Sequence, residues 1–404
     1  MKKKTLLGLI LALCLSFSGC SVLDSSSLLA LPEISPDQAD LLQLVNSVTA
    51  NSAWTVTAPV KGDELSSMHF VDFFSDGVKE AVCYFRNAAE MRIRVTVYSN
   101  TGGRGYTELC SFETEGYGVD SVTYTDFDCD GRLELALFVR YETGAIYGAE
   151  IYRLNNSAVQ KIELGSCVAY SVCDLTRDGA ADVVLARRGD AATADADGGS
   201  GDWAELFSWI YGVATKMGRV PILAGDGGSA NITVGPLNEG MNGCIIDVCD
   251  SSGAEPVWMS NVLTWNGAFV NLSAEALGSA SATARGSRLY CRDADFDGFL
   301  EIPMCYAMPS SGDQPGPDGE KYTLWYGFTE EYTLVQKSLT YCFPGGNWYY
   351  SMPELWNGLV YVKTGSMDGM TTVAFTADKN ASSILSRMLT APAQQTGFPP
   401  KVEP

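Results

Sequence analysis

The stretch that decides the fold is Asp126-Phe-Asp128-Cys-Asp130-Gly131-Arg-Leu-Glu134. It sets three carboxylates at alternate positions, then a glycine, then a fourth carboxylate three residues later. Acidic side chains this close repel one another unless a cation lies among them. The glycine permits the sharp turn that brings the fourth acid round, as in the first half of an EF-hand loop. Because the ligand positions hold oxygen groups and no His or Cys, the pattern favours Ca²⁺ over zinc.

The residues on either side of this loop predict strands, not helices. Val122 and Tyr124 alternate with polar residues before it, and residues 135–139 follow as an apolar, β-prone run. The glutamate at position 12 of an EF-hand loop is also missing, because the closing acid here falls at position 9. The stretch therefore predicts a metal site of the strand–loop–strand kind.

The same frame recurs along the chain. Two further copies keep all four ligand positions, one of them with Thr as a neutral oxygen ligand: Asp174, Thr176, Asp178 and Asp182, and then Asp293, Asp295, Asp297 and Glu301. A weaker copy retains three acids: Asp72, Asp76 and Glu80. In that copy Phe74 replaces the middle carboxylate. One acidic loop can be a solvated turn, but three good copies in one frame predict metal binding.

A second marker gives the spacing of the units. Strand-like segments end in an aromatic residue or Leu before a turn, at Tyr98, Leu154, Trp209, Trp265 and Trp325. The steps between these positions are 56, 55, 56 and 60 residues. In the unit that ends at Trp265, residues 238–246 keep a glycine, Gly243, but no acids in register. We expect this loop to keep the turn and to lack the metal.

Each unit thus runs strand, acidic loop, strand, variable loop, strand, tight turn, strand. Four short antiparallel strands repeated every 55 or so residues are typical of a β-propeller blade. The frame D-x-D-x-D-G-x-x-[DE] between strands resembles the FG-GAP/VCBS repeats of integrin-like propellers, over residues 61–345. The whole arrangement is similar to VCBS-repeat lipoproteins of Gram-positive bacteria. In that family the alternate acids and the closing acid hold Ca²⁺, so the resemblance implies this role for the acids named above.

We therefore expect an all-β chain, a β-propeller of about six four-stranded blades with a range of five to seven, whose calcium loops join strands one and two. Five units are recognisable. Strands from both chain ends could supply a sixth blade: residues 54–59, 347–350, 359–363 and 372–376. Alternatively, residues 346–389 form a small separate domain. Residues 390–404, which are rich in proline, are predicted to be disordered.

The N-terminus predicts export and a lipid anchor. Residues 1–19 combine three Lys with an apolar run that is too short to span a bilayer, as in a signal peptide. They end in Phe17-Ser18-Gly19-Cys20, which resembles the lipobox of bacterial lipoproteins. The resemblance implies cleavage before Cys20 and a lipid on its sulfur; the alternative is an ordinary secretory signal. Residues 20–60 are expected to form a tether, a short helix from Ser35 to about Val48, and a leading strand.

The net charge and the positions of the cysteines limit the partners and the disulfides that we expect. After residues 1–19 the chain carries 24 Lys and Arg against 48 Asp and Glu, which argues against nucleic acid as a partner. Ten cysteines follow Cys20, and most lie in apolar strand-like runs. We expect small buried thiols, with a Cys291–Cys305 disulfide as the alternative.

The sequence contains little that supports an enzymatic active site. The only histidine, His69, lies in a predicted strand, and the obvious carboxylate pairs belong to the acidic loops. The long loops at residues 187–203 and 309–320 lie at the end opposite the acidic loops, where propellers recognise partners, although they could be simple polar insertions. We expect a non-enzymatic, monomeric, calcium-binding module on the outer face of the cell membrane. It would recognise or adhere to a glycan, peptide or protein; the alternative is a carbohydrate-active hydrolase.

Overall fold

The structure, a computed structural model, describes residues 36–50, 52–100, 105–141, 146–189, 201–223, 230–278, 280–308, 321–342, 349–367, 370–380, 383–390 and 402–403. Strands make up 58% of the structure and helices 7%, so the predicted all-β class is confirmed. The lipobox cysteine Cys20 and most of the two long loops, residues 190–200 and 309–320, lie outside the described residues. In the described ranges, no helix has the length and apolar character needed to cross a membrane.

The chain begins with one helix and one split sheet. Helix α1 spans Pro36–Thr49, close to the predicted bounds. Sheet one contains β1 (Trp54–Val56), β2 (Met68–Val71), β3 (Glu80–Asn87), β4 (Arg92–Ser99) and β5 (Thr107–Glu115). Both β1 and β2 pair with β3, at opposite ends of that strand, so together they act as a divided first strand.

Sheets two to four are regular meanders in which each strand pairs with the next one along the chain. Sheet two contains β6 (Gly118–Thr125), β7 (Glu134–Arg140), β8 (Tyr147–Asn155) and β9 (Ala158–Cys167). Sheet three contains β10 (Ala169–Cys173), β11 (Asp182–Arg187), β12 (Trp203–Ile210) and β13 (Val213–Pro221). Sheet four contains β14 (Ala230–Asn238), β15 (Met241–Asp250), β16 (Val257–Trp265) and β17 (Phe269–Asn271), and is followed by helix α2 (Leu272–Leu277) and a 3₁₀ turn (Ala280–Thr283).

The last two sheets follow the same plan. Sheet five contains β18 (Ile302–Ala307), β19 (Lys321–Phe328), β20 (Leu334–Cys342) and β21 (Tyr349–Met352), with a 3₁₀ turn (Glu354–Trp356) after it. Sheet six contains β22 (Tyr361–Met367), β23 (Met370–Thr376), β24 (Ile384–Thr390) and β25 (Val402–Glu403). The described strands thus form six antiparallel sheets of four strands, counting the divided strand of sheet one as one.

Consecutive sheets pack face to face, and this explains the apolar runs in the sequence. In β7, Leu135 and Leu137 contact the core shared with sheet one, whereas Ala136 and Phe138 contact the core shared with sheet three. A strand buried on both faces cannot alternate with polar residues and reads as a continuous apolar run. Separate cores of the same kind lie between sheets three and four, four and five, and five and six.

Helix α1 covers the outer face of sheet one. Leu41 and Val45 of the helix are buried in one cluster with Ala81, Phe85 and Tyr98 of the sheet. In the described part of the chain, no sheet combines strands from the two chain ends. The face that a closing sheet would need for direct packing on sheet one is therefore occupied by this helix.

Two of the segments expected to build a sixth blade lie elsewhere. Trp54–Val56 pairs with β3 in sheet one, and Tyr349–Met352 pairs with β20 as the outer strand of sheet five. The segment before the acidic loop of sheet five forms only an isolated bridge, between Arg292 and Glu301, so β21 supplies the fourth strand of this sheet. Sheet six forms from the C-terminal segments alone. Val402–Glu403, in the segment predicted to be disordered, pairs there with β24.

The loop at 238–246 also differs from the expectation. The turn between β14 and β15 consists of Glu239 and Gly240, because Asn238 pairs with Met241. Gly243, which the sequence frame aligns with the turn glycine, lies inside β15. A Cβ atom at this position would come within 2.6 Å of the Leu237 side chain, so the glycine accommodates packing and does not form the turn.

Candidate metal centres

The four acidic loops share one backbone conformation. In the loop of sheet two, the amides of Asp130 and Gly131 donate to the Asp126 carboxylate at 3.1 and 2.8 Å. The equivalent amides donate to Asp72, Asp174 and Asp293 in the other three loops. The glycine has a φ of +85 to +91° in all four, a conformation that favours glycine. The first aspartate therefore shapes the turn in addition to offering ligand oxygens.

The loop of sheet five gathers its acids most completely. Asp293, Asp295, Asp297 and Glu301 each place one carboxylate oxygen within 4.8 Å of the others. Glu301 is fully buried; its Oε2 accepts a hydrogen bond from the amide of Ala294 at 2.6 Å, and its Oε1 has no hydrogen-bond partner among the described residues. Burial, together with the three aspartates, raises the pKa of Glu301 to about 7. A cation among these oxygens would satisfy Oε1 and remove the repulsion.

This loop also has a basic neighbour at its rim. The Lys337 ammonium lies 2.9 Å from Asp297 Oδ2. Burial alone would raise the pKa of Asp297, but the hydrogen bond and charge of Lys337 lower it below its usual value. The contact is with one exposed aspartate, and Glu301 has no ion-pair partner among the described residues.

The loop of sheet two gathers only part of its predicted set. Asp126, Asp128 and Asp130 each place one oxygen within 4.8 Å of the other two, but Glu134 is not in the group. The Glu134 carboxylate accepts from the amide of Phe127 at 2.9 Å and from Arg153 Nε at 3.3 Å. The Arg153 guanidinium also pairs with Asp128.

Arg153 is a residue of this site that the sequence pattern did not indicate. It lies in β8, next to Leu154, and its guanidinium pairs with both Asp128 and Glu134. The sequence pattern had predicted that these two acids bind one metal ion. The only signal in the sequence is a basic residue in the strand that pairs with β7. Arg153 thus pairs with the closing acid of this loop, whereas Glu301, the closing acid of the sheet five loop, has no ion-pair partner among the described residues.

In the loop of sheet three, internal hydrogen bonds go to one oxygen of Asp182, whereas its Oδ1 is buried without a hydrogen-bond partner among the described residues. Asp182 is buried, and its Oδ2 accepts from the amides of Leu175 and Thr176 at 2.9 and 2.8 Å. The Thr176 hydroxyl, predicted as a neutral ligand, donates to the same oxygen at 3.0 Å. In the described ranges, the acids of this loop do not come together as those of sheets two and five do.

The loop of sheet one has no gathered set either. Glu80 accepts from the amide of Phe73 at 3.3 Å and from the hydroxyl of Ser99 at 3.2 Å, so both of its oxygens have partners. The ring of Phe74 packs against the core between sheets one and two. This geometry fits the lower rank that the sequence frame assigns to this loop.

Neighbouring loops touch each other at one end of the sheets. The Ser75 hydroxyl donates to the carbonyl of Gly131 at 2.5 Å, which links the loops of sheets one and two. The Asn242 amide donates to the carbonyl of Asp174 at 2.6 Å, which links sheets three and four. These contacts link the acidic loops of sheets one and two to each other, and the loop of sheet three to strand β15 of sheet four.

His69 and the cysteines, which the sequence also singled out, make contacts typical of structural residues. His69 is buried, and its Nδ1 lies 2.8 Å from the hydroxyl of Tyr124. Burial lowers the pKa of His69, although the nearby Glu64 opposes this. The ten cysteines of the described residues are free thiols. The Sγ atom of Cys291 lies 3.3 Å from Oδ1 of Asp247 and is not bonded to Cys305.

Neither a scan against protein-family models nor a search of curated proteins found a match.

Proposed function

We propose that this protein binds Ca²⁺ through the loop of sheet five and serves as a recognition module. The observation that carries the proposal is Glu301, a fully buried carboxylate whose Oε1 has no partner in the described structure and which lies among three aspartates. A buried, unpaired charged oxygen is costly, and oxygen-only ligands are those that Ca²⁺ prefers. The bound ion would hold the loop rigid and neutralise its acids.

We infer further that the six sheets are blades of a propeller-like array. Support comes from the repeat spacing, the four-stranded meanders and the face-to-face packing of successive sheets. Helix α1 would then lie between the first and last blades. The FG-GAP/VCBS-like loop frame supports the same proposal.

The location and role follow from the sequence expectations. The signal-like residues 1–19 and the lipobox at Cys20 support a lipid-anchored protein on the outer face of the membrane. On such an anchor, a rigid array of sheets would display a surface to a glycan, peptide or protein ligand. A carbohydrate-active hydrolase remains the second proposal, on the analogy of other propellers only.

Calorimetric titration of the metal-free protein with Ca²⁺ tests the proposal. We expect saturable binding that Asp295→Asn removes or weakens at least about tenfold, because one of four gathered carboxylates loses its charge. Asp76→Asn is the matched control, since it removes a carboxylate from a loop whose acids are not gathered. Excess Ca²⁺ should also raise the melting temperature, by an amount corresponding to about 2.7 kcal/mol per site at a hundred times Kd.

Two results would contradict the proposal. The first is the absence of heat and of any shift in melting temperature on adding Ca²⁺. The second is equal loss of binding in Asp295→Asn and Asp76→Asn, which would mean that gathering of the acids has no influence on the metal.

A further inference from the structure

A cleft of about 540 Å³ lies where the first strands of sheets two, three and four come together. Its walls contain Ser121 of β6, Tyr170 of β10 and Asn231 of β14, with Lys61 and Tyr147 at one side. These are a mixture of hydroxyl, amide, aromatic and ammonium groups. None of them belongs to the metal frame, and nothing in the sequence pattern marked them as a site.

A buried carboxylate organises this side of the cleft. Asp120 is 1% exposed, and its Oδ2 accepts a hydrogen bond from the Tyr170 hydroxyl at 2.5 Å. Lys61 Nζ lies 3.2 Å from the same oxygen, and Arg140 Nε lies 3.8 Å from Oδ1. Two cations therefore face one acid, so the cluster is locally positive although the whole chain has a net charge of −21.

Lys61 is held in place but stays accessible. The amides of Val60 and Lys61 donate to the carbonyl of Asp120 at 3.0 and 2.8 Å, which fixes the segment between β1 and β2. Lys61 Nζ lies 3.3 Å from the Tyr147 hydroxyl, and the Lys61 side chain remains 59% exposed. Burial lowers the pKa of Lys61, but Tyr147 and Asp120 outweigh it and raise the value, so the ammonium stays charged.

The remaining walls offer hydrogen bonds on a rigid support. Tyr170 stacks on Phe138 with ring centroids 3.7 Å apart, and its hydroxyl also lies 2.7 Å from the Ser121 hydroxyl. Thr123 and Ser171 add further hydroxyls along the cleft. A set of fixed hydroxyl and amide groups beside one accessible cation suits a ligand with several hydroxyls and one negative charge.

We propose that this cleft binds a small sugar that carries a carboxylate, with the chemistry of a uronic acid. The carboxylate would pair with the Lys61 ammonium, and the sugar hydroxyls would meet the hydroxyl and amide groups of the strands. This inference rests on the proposed recognition role, and it names the ligand class and the place where the ligand binds. Since the cleft shares no residue with the acidic loops, ligand binding is independent of Ca²⁺.

The test is a ligand-observed NMR titration of the mature protein with glucuronate and, as the neutral probe, glucose. We expect saturable binding of glucuronate at least about tenfold tighter than that of glucose, because a charge-assisted hydrogen bond contributes that much. Lys61→Gln should remove this preference, and Lys61→Arg should restore part of it. Tyr147→Phe, which keeps the ring and removes the hydroxyl near Lys61, should weaken glucuronate binding less than Lys61→Gln does.

Lys216→Gln is the matched control. Lys216 is also a half-exposed lysine, 3.1 Å from the carboxylate of Glu205, but it lies outside the cleft. It should leave the glucuronate affinity unchanged. The inference is overturned if glucuronate does not bind saturably, if glucose binds equally well, or if Lys61→Gln and Lys216→Gln behave alike. Repeating the titration with a calcium chelator separates this inference from the metal proposal: glucuronate binding should persist, whereas failure of the metal proposal is read from calorimetry alone.

Discussion

At the scale of single residues, the counter-charge decides what an acidic loop can do. The loops of sheets two and five have the same ligand frame, yet Glu134 faces Arg153 and Glu301 faces no cation among the described residues. Burial raises the pKa of both carboxyls, and for Glu134 the guanidinium partly offsets this. Glu134 therefore has a basic partner within the described chain, whereas in the loop of sheet five the basic residue Lys337 pairs with Asp297 and not with Glu301.

Replacing Arg153 should convert the loop of sheet two into a stronger metal site. In Arg153→Met, Asp128 and Glu134 lose their positive partner. The two carboxylates then repel each other more strongly in the metal-free protein, and a bound Ca²⁺ would replace the charge of the guanidinium. We expect the metal-free variant to lose about 1–3 kcal/mol of stability. Ca²⁺ affinity at this loop should rise at least about tenfold, as measured by calorimetric titration.

The control for this change is Lys161→Met. Lys161 also pairs with a buried acid, since its Nζ lies 2.6 Å from Glu150, but it is in β9 and away from the metal frame. It should alter stability without altering Ca²⁺ binding. If Arg153→Met binds Ca²⁺ no better than the native chain, the salt bridge is not what weakens this loop.

At the scale of elements, helix α1 acts as the cover of sheet one. Its buried residues Leu41 and Val45 pack on a sheet face formed by Ala81, Cys83 and Phe85. Without the helix, this apolar face would be open to water. The N-terminal helix is therefore part of the folded body.

Leu41→Ala should destabilise the whole protein by about 2–5 kcal/mol, because it removes buried methyl groups and leaves a cavity. The measurement is urea unfolding followed by tryptophan fluorescence. Leu42→Ala is the matched control: Leu42 is the next residue of the same helix and is 42% exposed, so it should cost less than about 0.5 kcal/mol. Equal, small effects of the two substitutions would show that the helix does not hold sheet one.

At the scale of the whole molecule, each sheet packs on the next one along the chain. The acidic loops lie at one end, where they link neighbouring sheets, and the cleft lies among the first strands of sheets two to four. A stack of this kind holds separate sites in fixed relation without a single large core. A membrane anchor ahead of α1 would leave both sites outside the membrane.

The proposed lipid anchor can be tested by expressing the chain with residues 1–19 in a Gram-positive bacterium. Cys20→Ser removes the sulfur that would carry the lipid, so we expect the protein to move from the membrane fraction to the medium, or to remain unprocessed. Cys14→Ala, in the apolar part of the same segment, should leave the protein in the membrane fraction. Fractionation and immunoblotting provide the measurement. Membrane retention of Cys20→Ser equal to that of the native chain would contradict the lipid anchor.

The sequence by itself determined the features that depend on near neighbours along the chain. The turn of each acidic loop is made by groups at most eight residues apart, and its glycine has the positive φ that the frame requires. Strand positions followed from apolar runs, and a repeat of about 55 residues predicted four-stranded units that the structure confirms. Such local patterns are readable because the contacts behind them are local.

Only the tertiary structure decided which acids come together and which strands share a sheet. Glu134 accepts a hydrogen bond from Arg153, which is 19 residues away in the sequence. This contact depends on how β8 lies beside β7. The placement of Trp54–Val56 beside β3, the cover of α1 and the cleft around Asp120 likewise depend on distant contacts. The free energy of such contacts depends on burial and on neighbouring charges. The spacing of residue types along the sequence gives neither of these.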